Sequence, residues 1–168
     1  MSLIDVTTQM YNEGIKDEKL VMEIVNKIFK CKTYVATKWE DVNLHVDFWC
    51  ESNNKRYGID VKGLRKNKRN DKDYDDTINW IELINVQGKN GWVYGKASYI
   101  AFLTKKSLLL VSRKKLAKTI EEKINGKDIV HINPNEYYVP YQRNGRLDKI
   151  VKVPTADLRN IAKHEIIL

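Results

Sequence analysis

Between Asp17 and Lys30 the run DEKLVMEIVNKIFK places Leu20, Val21, Ile24, Val25, Ile28 and Phe29 at intervals of three and four, the period of a helix with one buried stripe. Asp17 reads as its cap, and the acidic start and basic end suit the helix dipole. Downstream the period shortens to two. TYVATKW (Thr33–Trp39) reads as a short strand, and HVDFWCES and KRYGIDVKG as two more, separated by Asn53-Asn54, a pair that tolerates the positive φ of a tight hairpin. NWIELINV (Asn79–Val86) is apolar on both faces and reads as a central strand, with QGKNG as the turn after it. GWVYGKASYIAFLT holds a short turn or helix leading into the strand YIAFL, whose neighbour is LLLVS (Leu108–Ser112). RKKLAKTIEEKI (Arg113–Ile124) is a second helix, stopped by Asn125-Gly126. The tail carries two weaker strands, YYVPYQ and KIVKVP, joined by Asn144-Gly145, and a last helix from near Thr155. This order predicts an α/β (α+β) chain with helices packed on a sheet.

Length changes little in that picture: 168 residues suit one hydrophobic core. The expectation is a single domain with its core at about 13–124 and an extension over 125–168. Charge adds more. Thirty Lys and Arg against 22 Asp and Glu leave a formal +8, which favours a polyanionic partner. Cys31 and Cys50 show no C-x-x-C spacing, so reduced structural thiols of a cytosolic protein are expected. The start MSLIDVTTQMYNEG lacks a basic region followed by an apolar one, and no apolar run approaches about 18 residues. An intracellular (cytoplasmic) protein without a membrane span is therefore expected.

The hairpin raises a chemical question. With Asn53 and Asn54 as its turn, Glu51 opposes Arg56, Trp49 opposes Gly58, and Asp47 opposes Asp60. Val46, Phe48, Cys50, Tyr57, Ile59 and Val61 share one face by alternation, and Asp47, Glu51, Arg56, Asp60 and Lys62 the other. Opposed like charges destabilise a strand pair. Lys62 offsets part of the repulsion, and a divalent cation would offset more, since Mg²⁺ is commonly held by one or two carboxylates plus waters and phosphate. A polar, solvated sheet face is the plainer alternative.

The sequence of elements together with Val46-Asp47 and Asp60-Val61-Lys62 resembles the PD-(D/E)XK nuclease superfamily, with valine in place of the signature proline. WIELINVQGKNGWVYGKASYIAF is similar to small phage-type members. The resemblance implies a restriction-endonuclease-like or Holliday-junction-resolvase-like core, a central mixed sheet flanked by helices. It implies a metal-dependent nuclease acting on duplex or branched DNA more than on RNA, with Mg²⁺ or Mn²⁺ as cofactor. Asp47, Asp60 and the Val61 carbonyl would hold the ion, and Lys62 would orient or deprotonate water or stabilise the phosphorane. Glu18, where resolvase-type nucleases carry a glutamate, and Glu82, a lone charge in an apolar strand, are further candidates; Glu23 ranks below them.

Arg65, Lys66, Lys68, Arg69 and Lys72 follow the lysine directly and are placed to grip flanking phosphates. Lys89 and Lys96 among glycines would extend that path. Cutting both strands or resolving a junction would require two sites, hence a homodimer. Two rivals stand beside this reading. One is a non-catalytic basic nucleic-acid-binding module on a degenerate nuclease fold. The other is a calcium loop over Asp71, Asp73, Asp75, Ile78 and Glu82, opposed by Asp76 where such a loop needs glycine. Trp80, Trp92, Tyr94 and Tyr99 read as packing aromatics, and His45 as the cross-strand neighbour of Lys62.

Overall fold

A helix of 27 residues, α1 (Leu3–Phe29), opens the chain and is followed by β1 (Lys32–Val35), α2 (Lys38–Leu44), β2 (Phe48–Ser52) and β3 (Lys55–Lys62). Then come β4 (Ile78–Ile84), a 3-10 turn (Trp92–Tyr94), β5 (Tyr99–Leu103), β6 (Ser107–Ser112) and α3 (Arg113–Ile124). The tail forms β7 (Pro140–Gln142), β8 (Lys149–Pro154), α4 (Thr155–Ile161) and β9 (His164–Ile167). The computed structural model describes residues 3–66 and 73–168, with side chains from Glu13 onward in α1. Among these residues the strands form two sheets, a six-stranded one in the order β1-β2-β3-β5-β6-β9 and a three-stranded one in the order β4-β8-β7. In the larger sheet β3 and β5 run parallel and the other pairs antiparallel. The chain is a mixed α/β domain, as the order of elements predicts.

Both faces of the larger sheet are buried, which is why its strands are so apolar. On one face α1 lays Val21 and Val25, a helical turn apart, against Phe48, Cys50, Ile59, Ala101, Leu103, Leu108 and Leu110. Full burial of each such aliphatic side chain contributes about 1.5–3 kcal/mol. The other face carries Ile100, Phe102, Leu109 and Val111 against Leu116 and Ile120 of α3, Leu158 of α4, and Ile81, Val151 and Val153 of the small sheet. Residues 125–168 thus supply β9 to the main sheet and core side chains to the second layer.

Several expectations need correction. The first helix begins well before Asp17, which lies inside it; Gly14 also lies inside it, where an added Cβ would meet open space. The strand TYVATKW stops at Val35, and Trp39 belongs to α2. Thr37 accepts from the Glu40 N–H while Glu40 accepts from the Thr37 N–H, a capping box whose T-x-x-E spacing is legible in the sequence. β4 is an edge strand of the small sheet, its place at the centre taken by β8. Cys31 and Cys50 are joined as a disulfide, with Cα atoms 5.9 Å apart, because the β1/β2 pairing sets Thr33 opposite Cys50 and brings Cys31 alongside. No helix among the described residues is long and apolar enough to cross a membrane.

Candidate active site

The β2/β3 hairpin keeps the expected register from Ser52↔Lys55 to Phe48↔Ile59, with Asn53 and Asn54 at φ 51° and 58°. Beyond that point the ladder slips. The Asp47 N–H donates to the Ile59 carbonyl at 2.8 Å, so Ile59 faces both Asp47 and Phe48, the two-against-one count of a bulge. Val46 is thereby turned away from Phe48 and packs over Gly58, where an added Cβ would lie 2.9 Å from a Val46 methyl. This corrects the assignment of Val46 to the Phe48 face. The bulge frees the Asp47 carboxylate to accept from the Val61 N–H at 2.6 Å.

On β3, Asp60 is 3 % exposed and accepts from Lys62 Nζ at 2.7 Å through Oδ1. Among the described residues its buried Oδ2 finds no N–H donor, and the Asp47 carboxyl lies within hydrogen-bonding range of Asp60. Lys62 also stands over the Trp92 ring, 4.6 Å from its centroid, which fixes the ammonium between an aromatic face and a carboxylate. The next residue, Gly63, lets α1 come close, for a Cβ there would collide with the Asp17 carboxylate. The face of α1 that buries Val21 and Val25 therefore continues past the sheet as Glu13, Gly14, Asp17 and Glu18, spaced by helical turns. These residues, with Asp41 and His45 of the α2 end, Asp47, Asp60, Val61, Lys62, Arg65, Lys66, Tyr74 and Trp92, enclose a cavity of about 610 Å³.

Its carboxylates hold protons more tightly than usual. Burial, then the neighbouring charge of Asp60, pushes Asp47 up to about 7, and burial raises Asp60 against the opposing pull of Lys62. Glu18 is pushed to about 7 by burial and then by Asp47 and Asp41. Asp17 is raised by burial and Glu13. Burial and Lys62 lower His45. Two adjacent desolvated carboxyls, one raised by the other's charge and one with a buried oxygen lacking an N–H donor among the described residues, form a site short of positive charge, and a hard divalent cation with oxygen preference fits that donor set. Among the described residues no three His, Cys, Asp or Glu side chains already converge at metal-binding distance, so the fit rests on the Asp47/Asp60 pair and on that buried oxygen.

The cavity thus unites Glu18, Asp47, Asp60, Val61 and Lys62 with Arg65 and Lys66 at its rim. Glu82 lies beside it rather than in its wall: it is close enough to act on the His45 ring, and Gly91 approaches its backbone so tightly that a Cβ would collide. Lys89 and Lys96 are exposed elsewhere, the former in the turn after β4. Lys68, Arg69 and Lys72 lie outside the described residues. So does Asp71 of the rival calcium loop; that loop's last two positions, Ile78 and Glu82, belong to β4. His45 does not extend the hairpin but closes α2 in the left-handed region. Asp41, His45 and Trp92 were not singled out as site residues. The capping box ahead of Asp41 was the available signal for the first two, while Trp92 had none.

Among known proteins, no family model, no curated protein and no solved structure matches this chain.

Proposed function

We propose that the chain is a metal-dependent nuclease hydrolysing phosphodiester bonds, in DNA rather than RNA. The observation that carries this reading is Asp60, buried and bonded to Lys62 on one oxygen while the other oxygen, beside Asp47, finds no N–H donor among the described residues. Such an arrangement costs the fold stability and is what a cation site requires before the ion arrives. The net charge of +8 and the Arg65 and Lys66 rim suit a polyanion.

Mg²⁺ or Mn²⁺, held by Asp47, Asp60 and the Val61 carbonyl, would supply Lewis-acid stabilisation of the phosphate oxygens and activate water. The chain's own groups do the rest. Lys62, held by Asp60 and Trp92, presents its ammonium to the charge that builds on phosphate in the transition state. Glu18, pushed up to about 7 and not among the groups assigned to the ion, can hold and release a proton at neutral pH, the property required of a group that takes one from attacking water. Arg65 and Lys66 neutralise the flanking phosphates without reading bases.

The test is cleavage of labelled single-stranded, duplex and branched DNA and a matching RNA, in Mg²⁺, Mn²⁺, Ca²⁺ or EDTA. Cutting in Mg²⁺ or Mn²⁺ that Lys62→Ala lowers by about a hundredfold or more is expected. Intact substrates that are nonetheless bound would replace the reading with a non-catalytic binding module.

A further inference from the structure

Five described residues other than glycine adopt positive φ: Lys30, His45, Asn53, Asn54 and Tyr138. The two asparagines form the hairpin turn, where that conformation is favoured. Lys30 is an exposed cation at the end of α1, where the dipole favours it. Tyr138 is held by its hydroxyl, which donates to Asp157 at 2.6 Å. His45 is the one of the five that also lines the cavity. It closes α2 at φ 53° and ψ 58°, its N–H donating to the Asp41 carbonyl, a position at which glycine or asparagine is less strained. Its ring takes part in charge interactions but in no hydrogen bond with a described residue.

The neighbouring backbone holds the Cα and Cβ of His45 in place. The Leu44 carbonyl accepts from the Lys96 N–H at 2.7 Å, and Gly95 sits so close that a Cβ on it would lie 2.9 Å from the His45 Cβ. The imidazole lines the same cavity as Asp47 and Lys62. Lys62 spends one of its three N–H groups on Asp60 and lies over the Trp92 ring, and the His45 ring, which makes no hydrogen bond with a described residue, adds a further N–H to that wall. A non-glycine residue in the left-handed region whose side chain lines a charged cavity is a candidate for a functional role. We propose that His45 contacts the substrate, its ring N–H donating a hydrogen bond to a phosphate oxygen of the bound strand. This rests on the nuclease reading of the cavity.

The experiment compares wild type, His45→Gly and His45→Asn, both replacements being tolerant of the left-handed conformation. Affinity for fluorescein-labelled duplex and single-stranded DNA is measured in Ca²⁺, cleavage in Mg²⁺, and melting temperature without DNA. The glycine variant is expected to melt higher than wild type while binding and cleaving about tenfold less well, and the asparagine variant, which keeps an N–H donor, to recover most of that loss. Equal affinity and cleavage for His45→Gly and wild type, or an asparagine variant as impaired as the glycine one, overturns the assignment. Wild type that binds DNA without cutting sinks the nuclease reading alone, because the affinity comparison still decides His45. Absence of any DNA binding overturns both.

Discussion

Asp60 sets the energetics at the residue scale. Burial raises the pKa of Asp60 against the pull of Lys62, and burial together with the Asp60 charge raises that of Asp47. The sign for stability follows from raised folded-state values. Protonation of Asp47 and Glu18 makes a contribution to the native state that is fully present below their unfolded carboxylate values and is lost progressively as pH rises through about 7. The metal-free protein should therefore be more stable at pH 5.5 than at pH 8, with a difference of the order of 2 kcal/mol, as denaturant melts at the two pH values would show. Asp60→Asn should flatten that dependence and stabilise the protein at pH 8 by about 1–2 kcal/mol. A variant less stable than wild type at pH 8 would mean that Lys62 and Asp60 form a net stabilising pair. The opposed aspartates and the lysine were legible as residues in the sequence. The buried oxygen without an N–H donor was not, because it depends on a bulge at Asp47 that alternation alone conceals.

Among the elements, α2 joins local sequence most directly to the site. It buries none of its own residues, so its stability leans on the Thr37/Glu40 capping box and on the Arg56 ion pair with Glu40 at 3.0 Å. Replacing Thr37 by Ala should cost about 1 kcal/mol, read in a chemical melt, and should lower activity by loosening Asp41 and His45; unchanged activity at unchanged stability would remove α2 from the account. Gly63 is the second such device, since the Cβ of Gly63→Ala meets the Asp17 carboxylate and should swing that side chain away from its place in the cavity, leaving α1 and Glu18 where they are. Here the sequence was partly misleading. The strand reading of TYVATKW followed alternation and passed over the T-x-x-E signal, and β4 read as central because its second face is covered by tertiary contacts rather than by flanking strands. Elements with a single clear period, such as α3 over Arg113–Ile124 and the β5/β6 pair, were legible throughout.

For the whole molecule, the site lies where α1, the β2/β3 hairpin and the α2 end converge at the ends of two interior strands of the main sheet, while the tail supplies the sheet's far edge, β9. Leu158 of α4 is 1 % exposed within the core that also holds Phe102 and Val151, so Leu158→Ala should cost about 2–5 kcal/mol in a cooperative melt. A tail that unfolds separately would contradict this. Which strands make up which sheet was not readable from the chain, because pairing between β4 and β8 or β6 and β9 joins segments far apart in sequence and leaves no local period. The central claim is that Asp47 and Asp60 are brought together to hold a divalent ion. Calorimetric titration of Mn²⁺ into wild type and Asp60→Asn at pH 8 tests it most directly. One saturable site in wild type, weakened at least tenfold by the substitution and by lowering the pH to 6, is the expected result. No binding, or equal binding by the two proteins, would contradict it.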